Sequence, residues 1–236
     1  MLVRSFPAQL WGTNCHIVAA GAGEHAVIID PGYDVVDAVA GVVAEHGLRP
    51  VAIMLTHGHL DHTWSILPLS GSYDTACWIH PGDRPQLADP GAWLSPGTSE
   101  MLAEMGAEFA EPDDVRELAD GVDVDIAGLR FEVDHTPGHS LGSVMFRIDD
   151  PAAGQGMVFS GDTLFAGSIG RTDLPGADAG QMRHSLTTKV LPLPDETLVL
   201  PGHGPNTTIA VERATNPYLR QSFLLERPDL ADGSRA

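Results

Sequence analysis

The sequence predicts a mixed α/β fold, and three observations support this fold class. Residues 26–55 read as strand, helix and strand, because a β-branched run is followed by valines at helical spacing and then by a second apolar run. Short apolar runs bounded by glycine and proline continue through the second half of the chain. Hydrophobic residues make up 43% of the 236 residues, enough to bury a sizeable core. We therefore expect one α/β domain over residues 1–236.

The first elements are a predicted strand pair, a helix and a buried strand. Residues 13–20 and 26–29 favour strands, and the glycine-rich stretch between them favours a hairpin turn. Asp34 is the expected N-cap of the helix, whose valines share one face and which ends at Gly47. A short apolar strand follows at residues 51–55.

The middle of the chain is less regular until a hairpin begins. Residues 76–80 predict a strand, residues 81–97 a long surface loop with one turn of helix, and residues 99–105 a short helix. Residues 122–126 and 129–133 alternate across Ala-Gly and predict a hairpin. The later expected elements are strands at 143–148, 157–159 and 197–200, helices at 179–190 and 211–225, and a frayed polar tail at 226–236.

Charge and composition narrow the possible partners and location. The formal net charge is −19, which repels nucleic acid and anionic membrane surfaces. No apolar run reaches membrane-spanning length, and the N-terminal segment carries an arginine and a proline where a secretory segment would be apolar. Cys15 and Cys77 lie far apart and favour reduced, buried thiols. We expect a cytoplasmic monomer or small homo-oligomer that acts on a small molecule.

A histidine-rich motif directly after residues 51–55 indicates a metal site. His57, His59, Asp61 and His62 fall within six residues. Imidazole and carboxylate without thiolate suit zinc, iron or manganese, and favour chemistry over a closed structural site. The alternative reading is a solvated loop in which Asp61 is the N-cap of a helix that starts near His62.

Three further strand ends carry side chains of the same kind. His139, Asp162 and His203 each follow an apolar strand and each lie beside a glycine that lets backbone approach closely. The repetition suggests that the strand ends meet at one place. Seven ligands are too many for one zinc ion and suit two. Asp30 also ends a strand, but taken alone it is better explained by capping of the following Pro-Gly turn than by a role in catalysis.

The sequence resembles the metallo-β-lactamase superfamily over nearly its whole length. The resemblance is carried by Thr56-His-Gly-His-Leu-Asp-His62, Thr136-Pro-Gly-His139, Gly161-Asp-Thr-Leu-Phe165 and Pro201-Gly-His203-Gly. Within the superfamily it is most similar to the glyoxalase II group, through Gly161 to Phe165 and the following Gly167-Ser-Ile-Gly-Arg-Thr-Asp173. The resemblance implies a four-layer αββα sandwich with the metals at one edge between two sheets.

The resemblance also implies roles for the candidate residues. Two divalent metal ions are expected, most simply Zn²⁺, with iron or manganese possible; they lower the pKa of a shared water to about 7. The resulting metal-bound hydroxide would attack the carbonyl of a small hydroxyacyl thioester, and Asp61 would help to orient the water. The implied positions are His57, His59 and His139 on the first metal, Asp61, His62 and His203 on the second, Asp162 bridging them, and Asp30 supporting the site from behind.

The substrate is less well defined than the metal site. Arg171 lies where the glyoxalase II group has a basic residue near the substrate, although an ion pair within the protein is an equal alternative. Asp173 stands where that group has a tyrosine. The chain ends 33 residues after His203, whereas enzymes of that group that bind glutathione have a longer basic extension, so the thiol carrier stays open.

Two other functions remain as alternatives. One is a mononuclear iron-dependent persulfide dioxygenase of the same superfamily, whose members share the Gly-Arg-Thr-Asp element seen at residues 170–173. The other is a non-enzymatic metal-binding module whose partner recognises the acidic surface. β-Lactam or lactone hydrolysis and RNA processing are further chemistries of the superfamily, and the charge of −19 argues against RNA.

Overall fold

The first of two central sheets contains six strands and is built by the first half of the chain. The computed structural model of the protein describes residues 1–94, 96–105, 109–150 and 154–225. In this sheet the strands follow chain order, with antiparallel pairing among the first three and parallel pairing from the third to the sixth. The strands are β1 (Leu2–Pro7), β2 (Asn14–Ala19), β3 (His25–Ile29), β4 (Arg49–Met54), β5 (Ala76–Ile79) and β6 (Val115–Glu117).

The second sheet also contains six strands and is built by the second half. Its strands also lie side by side in chain order, and the one parallel pair among these described strands joins the fourth to the fifth. The strands are β7 (Asp123–Ile126), β8 (Leu129–His135), β9 (Val144–Asp150), β10 (Gln155–Gly161), β11 (Leu198–Pro201) and β12 (Thr207–Thr208).

The helices are short and lie outside the sheets or in the loops between strands. No helix in the described ranges combines the length and the apolar character that crossing a bilayer requires. The α-helices are α1 (Val36–His46), α2 (Leu60–Thr63), α3 (Ile66–Tyr73), α4 (Pro96–Met105), α5 (Ala179–Ser185), α6 (Ile209–Thr215) and α7 (Gln221–Leu224). Three 3₁₀ turns occupy Arg84–Leu87, Pro90–Trp93 and Pro217–Leu219, and a π-helical turn, Leu186–Val190, continues α5.

Strand periodicity sorts the apolar side chains into layers. In β2, Ile17 joins the cluster beneath α1 and α3, whereas Val18 points between the sheets. In β10, Phe159 lies between the sheets, whereas Val158 packs against the helices that include α5 and α6. Because both faces of the sheets are covered at these positions, the strands contain continuous apolar runs such as Ile17–Ala19 and Met157–Phe159. The four layers are helices, sheet, sheet and helices, and the predicted α/β sandwich is confirmed.

The predicted hairpin and the predicted thiols agree with the structure. Ala127 and Gly128 both have positive φ, at 56° and 71°, which is the backbone of the two-residue turn expected between β7 and β8. Cys15 and Cys77 are buried free thiols. Burial raises the pKa of Cys77 to about 12, so this thiol is unreactive at neutral pH.

Two helix predictions are wrong. Asp34 does not cap α1: it has a φ of 54°, and Val35 precedes the helix without a side-chain cap. The helix expected at 211–225 is broken, because Asn216 is extended and Pro217 lacks the N–H that a continuous helix needs. Instead the side chain of Asn216 accepts a hydrogen bond from the Tyr218 N–H at 2.9 Å.

Several other elements were missed or misjudged from the sequence. β1, β6, β12 and α3 were not predicted, and each is short or has weak periodicity. The segment expected as a surface loop at 81–97 contains two 3₁₀ turns, and its Asp83 and Gln86 are 0% and 1% exposed. The frayed tail expected at 226–236 lies outside the described residues.

The inter-sheet core should carry much of the stability. We expect Phe159→Ala to lower the free energy of unfolding by about 3–5 kcal/mol, because this 0%-exposed ring would leave a cavity between the sheets. Urea unfolding with an unchanged m-value would measure the loss. The control is Val122→Ala at a 49%-exposed side chain, for which we expect a change within about 0.5 kcal/mol. A loss below about 1 kcal/mol for Phe159→Ala would contradict this packing.

Candidate metal centre

Backbone hydrogen bonds bring loops from both sheets together at one edge of the sandwich. The Val144 N–H, at the start of β9, donates to the Thr56 carbonyl at 2.7 Å, directly before His57. The Asn14 N–H, at the start of β2, donates to the Gly202 carbonyl at 2.7 Å, directly before His203. The loops that follow β4, β8, β10 and β11 therefore meet, and all seven candidate ligands lie among them.

The first group consists of three buried histidines. One nitrogen from each of His57, His59 and His139 lies within 4.8 Å of the others. His139 donates from Nδ1 to the Arg171 carbonyl at 2.8 Å, so its Nε2 is the ring nitrogen that faces the site. That Nε2 is only 2.8 Å from His59 Nδ1. Within the described ranges, the Nε2 atoms of His57 and His59 are buried without a hydrogen-bond partner.

The second group consists of Asp61, His62 and His203. The Nδ1 of His62 donates to Asp30 Oδ2 at 3.0 Å, which leaves its Nε2 free to act as a ligand. This Nε2 lies 3.3 Å from His203 Nε2 and 3.6 Å from Asp61 Oδ2. His203 Nε2 is 3.1 Å from the same Asp61 oxygen. The three side chains thus converge on one point.

Asp162 lies between the two groups. Its Oδ1 is 3.3 Å from His62 Nε2, and its Oδ2 is 3.4 Å from His139 Nε2 and 3.6 Å from His203 Nε2. A Cβ atom added at Gly202 would overlap Asp162 Oδ1 and lie 2.6 Å from His62 Cε1, so only glycine allows this approach. Asp162 therefore lies within reach of ligand nitrogens of both groups.

Asp30 supports the site from the end of β3. Its backbone has a φ of 51°, an unusual conformation for a residue other than glycine. Its Oδ1 accepts from the Thr56 N–H at 2.8 Å, and its Oδ2 accepts from the Thr56 hydroxyl at 2.6 Å and from His62. The carboxylate thus orients the His62 ring and anchors the start of the histidine loop.

The electrostatics favour cation binding. Burial, followed by the charge of neighbouring histidines, lowers the pKa of His57 well below its usual value and that of His59 to about 3, so both rings are neutral at neutral pH. Burial also disfavours the charged form of His62, yet Asp61, Asp162 and Asp30 outweigh it and raise the pKa of His62. Burial alone would raise the pKa of Asp61, but His62 and His203 lower it. Ionised carboxylates and neutral imidazoles are the forms that bind a divalent metal, so His57 and His59 are ready to bind one, whereas a cation has to displace the proton of His62.

The donor set fits a divalent metal centre. Unpartnered buried nitrogen and oxygen atoms, including Asp162 Oδ1, are costly unless a cation or a donor satisfies them. Two imidazole nitrogens that face each other at 2.8 Å need a shared proton or cation between their lone pairs. Nitrogen and oxygen donors without thiolate suit zinc, iron or manganese.

Comparison with known proteins agrees with this geometry. A family model described as the metallo-beta-lactamase superfamily matches residues 8–203. The chain belongs to the metallo-β-lactamase superfamily. An uncharacterized protein of Mycobacterium tuberculosis is 43% identical over 221 residues, covering 93% of this chain and 98% of the relative. Hydroxyacylglutathione hydrolase GloC of Haemophilus influenzae is 31% identical over 93% of this chain and 98% of its own.

Three solved structures share this fold over more than nine tenths of the chain. BLEG-1 B3 metallo-beta-lactamase has a TM-score of 0.80 at 35% identity, covering 92% of this chain and 99% of its own. TTHA1623, solved in a di-iron-bound form, has a TM-score of 0.75 at 39% identity, with coverage of 92% and 100%. ETHE1 from Myxococcus xanthus has a TM-score of 0.73 at 28% identity, with coverage of 95% and 88%.

A pocket opens over the metal centre of this metallo-β-lactamase fold. Its volume is about 440 Å³, and its walls include Trp11, Leu94, Phe165 and Leu174 together with ligand side chains. Arg171 lies at this pocket, with its guanidinium held by both oxygens of Asp173 at 2.7 and 2.9 Å. Arg171 therefore forms an ion pair within the protein and also lies at the pocket, so a structural role and a substrate contact are compatible.

Sequence reasoning missed two residues of the site. Thr13 is fully buried and its hydroxyl donates to Asp61 Oδ2 at 3.0 Å. Trp11 is 38% exposed at the pocket and has a φ of 64°. Both lie in the loop between β1 and β2, and because β1 was not predicted, nothing in the sequence indicated that this loop reaches the site.

Proposed function

We propose that the protein is a hydrolase of small hydroxyacyl thioesters, with two divalent metal ions, most simply zinc, held by the seven-residue centre. The observation that carries the proposal is the convergence of two three-residue groups on the carboxylate of Asp162, at the floor of an open pocket. The similarity to GloC, which is named a hydroxyacylglutathione hydrolase, supports the substrate class.

The side chains divide the work between metal binding and orientation. His57, His59 and His139 would hold one ion, Asp61, His62 and His203 the other, and Asp162 both. When bound, the two ions supply Lewis-acid polarisation of the carbonyl and a water whose pKa is lowered to about 7.

Asp61 is placed to orient the reacting water. Thr13 donates to Asp61 Oδ2 and so fixes the rotation of the carboxylate, whose side chain is 23% exposed towards the pocket. A carboxylate held in this way can accept a hydrogen bond from a water molecule in the pocket and direct its lone pair.

The chemistry of the leaving group fits the pocket. A thiol has a pKa of about 8.5, so the thiolate departs at neutral pH without a strong general acid. Apart from Thr98 and Arg171, the pocket residues outside the seven ligands are apolar or glycine, and Arg171 is a permanent cation. Such walls suit a small acyl group and a sulfur, with Arg171 near an anionic part of the thiol carrier.

A thioester panel tests the proposal directly. Zinc-loaded protein would be given S-lactoyl glutathione, the S-lactoyl ester of a small neutral thiol and the matching oxygen ester, with free thiol measured by a colorimetric reagent. We expect chelator-sensitive thiol release from at least one thioester and much slower cleavage of the oxygen ester. Absence of thiol release from every thioester, by protein that contains two equivalents of metal, would reject the proposal.

Arg171 is expected to contribute to the affinity for an anionic thiol carrier. We expect Arg171→Ala to raise KM for an anionic thioester with little change in kcat, because the guanidinium attracts the anionic group when the substrate binds. The rise should be only about two- to fivefold, because Arg171 is exposed and solvent screens its charge. The matched control is Asp173→Asn, which frees the guanidinium and should leave KM equal or lower. An unchanged KM in Arg171→Ala would assign the arginine to its ion pair alone.

A mononuclear iron persulfide dioxygenase is the second candidate. The similarity to ETHE1 and the Gly-Arg-Thr-Asp sequence at residues 170–173 favour it. The centre also contains sets of two histidines and one carboxylate, such as His57, His62 and Asp162, which suit iron with open positions. Oxygen uptake by iron-loaded protein with a persulfide substrate would support it, and no uptake would eliminate it.

A further inference from the structure

Asp83 has a fully buried carboxylate, and its hydrogen-bond donors all come from two loops. It lies between β5 and the first 3₁₀ turn and is 0% exposed. Its Oδ2 accepts from the Gly58 N–H at 3.0 Å and from the Ser140 hydroxyl at 2.5 Å, and its Oδ1 accepts from the Gly142 N–H at 2.7 Å. Among the described residues, no basic side chain forms an ion pair with it. A buried carboxylate without a cation is costly, so these three donors are what stabilise it.

The donors belong to the segments that carry the first ligand group. Gly58 stands between His57 and His59, and Ser140 directly follows His139. Asp83 therefore binds the β4 loop of one sheet and the β8 loop of the other at the same time. In the chain Asp83 is 25 residues from Gly58 and 57 residues from Ser140, so the contact is wholly tertiary.

Both loops approach the backbone of Asp83 so closely that a side chain would not fit. A Cβ atom at Gly58 would lie 2.8 Å from the Asp83 carbonyl oxygen, and one at Gly142 would lie 2.6 Å from the Asp83 nitrogen. Contacts this short with backbone atoms cannot be relieved by a rotamer change. The glycines and the carboxylate thus form one interlocked unit.

A carboxylate has a property here that an amide lacks. It offers two acceptor oxygens, whereas the asparagine side chain offers one acceptor and one donor group. Three donors on two oxygens therefore require the acid. If only folding stability mattered, a neutral or apolar residue at this depth would be favoured, because it carries a smaller desolvation penalty than a buried charge.

We propose that Asp83 is a positioning residue that joins the loop of His57 and His59 to the loop of His139 and sets the spacing of these three histidines. The inference rests on the proposed function only in treating the histidines as metal ligands. Residues that orient ligands from behind typically change metal affinity by about 10- to 100-fold when they are replaced.

The test compares Asp83→Asn with a matched buried carboxylate. Glu212 is 1% exposed and also accepts three hydrogen bonds, from the Gly167 N–H, the Thr207 hydroxyl and the Asn216 amide. None of these donors lies in the two loops that Asp83 joins. Full-length metal-free proteins would be titrated with Co²⁺, with affinity measured by chelator competition and ligand geometry by visible absorption.

We expect Asp83→Asn to weaken the tightest Co²⁺ binding by about 10- to 100-fold and to change its absorption bands, because the histidine spacing relaxes. Glu212→Gln should stay within about threefold of wild type, with unchanged bands. Ser140→Ala keeps both backbone donors on Asp83 and should cause a smaller loss than Asp83→Asn, which provides a graded second variant. In metal-free Asp83→Asn, the amide protons of Gly58 and Gly142 should lose exchange protection together.

Wild-type affinity and bands in Asp83→Asn would overturn the inference, and so would an equal loss in Glu212→Gln or a wild-type protein that binds no Co²⁺. The outcome is separable from that of the proposed function. Metal binding that depends on Asp83 without thioester cleavage would reject the thioester activity and leave the role of Asp83 intact. Thioester cleavage with unchanged Co²⁺ affinity in Asp83→Asn would reject the role of Asp83 alone.

Discussion

Replacement of Asp162 by alanine is expected to reduce thioester hydrolysis at least about a thousandfold while the protein stays folded. Its carboxylate lies within 3.6 Å of ligand nitrogens from both groups, at His139 on one side and at His62 and His203 on the other. Without it, two bound cations would lack the carboxylate that offers an oxygen to each group, and their mutual repulsion would be less well compensated. Steady-state kinetics with the best thioester of the panel would measure the loss.

Asp162→Ala should lower the thermal stability of the protein much less than it lowers the hydrolytic activity. Asp162 Oδ1 lies 3.3 Å from His62 Nε2, but His62 keeps its hydrogen bond to Asp30 when Asp162 is removed, so the ring retains an acceptor. We expect the metal-free variant to unfold within about 5 °C of the metal-free wild type. Asp113→Ala, at an exposed carboxylate, is the matched control and should keep full activity. Retention of more than a tenth of wild-type activity in Asp162→Ala would remove the bridging role.

Removal of metal is expected to abolish activity and to lower the melting temperature. Binding that is selective for the folded protein adds about 2.7 kcal/mol when free metal is a hundred times the dissociation constant. For a chain of this size that corresponds to about 5–10 °C. The loss should be large because buried nitrogen and oxygen atoms of His57, His59 and Asp162 are left without partners once the cation is gone.

Calorimetry and metal analysis of the same samples would check this expectation. Protein treated with a chelator and then desalted should regain both activity and melting temperature when Zn²⁺ is added in stoichiometric amounts. A control sample treated with the calcium salt of the chelator should lose less metal and less activity. Full thioester activity in protein with less than about a tenth of an equivalent of metal would contradict a metal-dependent mechanism.

Much of this architecture could be read from local patterns. Alternating and continuous apolar runs indicated most strands, because the side-chain period of a strand is a local property. The turn at Ala127 and Gly128 was recognisable for the same reason, since two adjacent residues determine it. Failures occurred where the apolar pattern was irregular, as in β1, or the element was very short, as in β12, and where a local rule was overridden, as at Asp34 and at Pro217.

The candidate ligands and the supporting Asp30 could be nominated from the sequence, but the other residues that support the ligand loops could not. His57, His59 and Asp61 share one motif, and each later ligand follows an apolar strand, so residue type and position sufficed to nominate them. Asp83 and Thr13 carry no such signal. Their partners are 57 and 48 residues away, at Ser140 and Asp61, and only the stacking of the two sheets brings them into contact.

The sequence by itself therefore determined the layered fold class and the chemical type of the centre. Both follow from side-chain identity and from repeats of two or about four residues along the chain. Tertiary structure alone decided which donors face one another, what holds their loops together and which residues line the pocket. The physical reason is that these distances depend on the docking of one sheet on the other, which no stretch of neighbouring residues encodes.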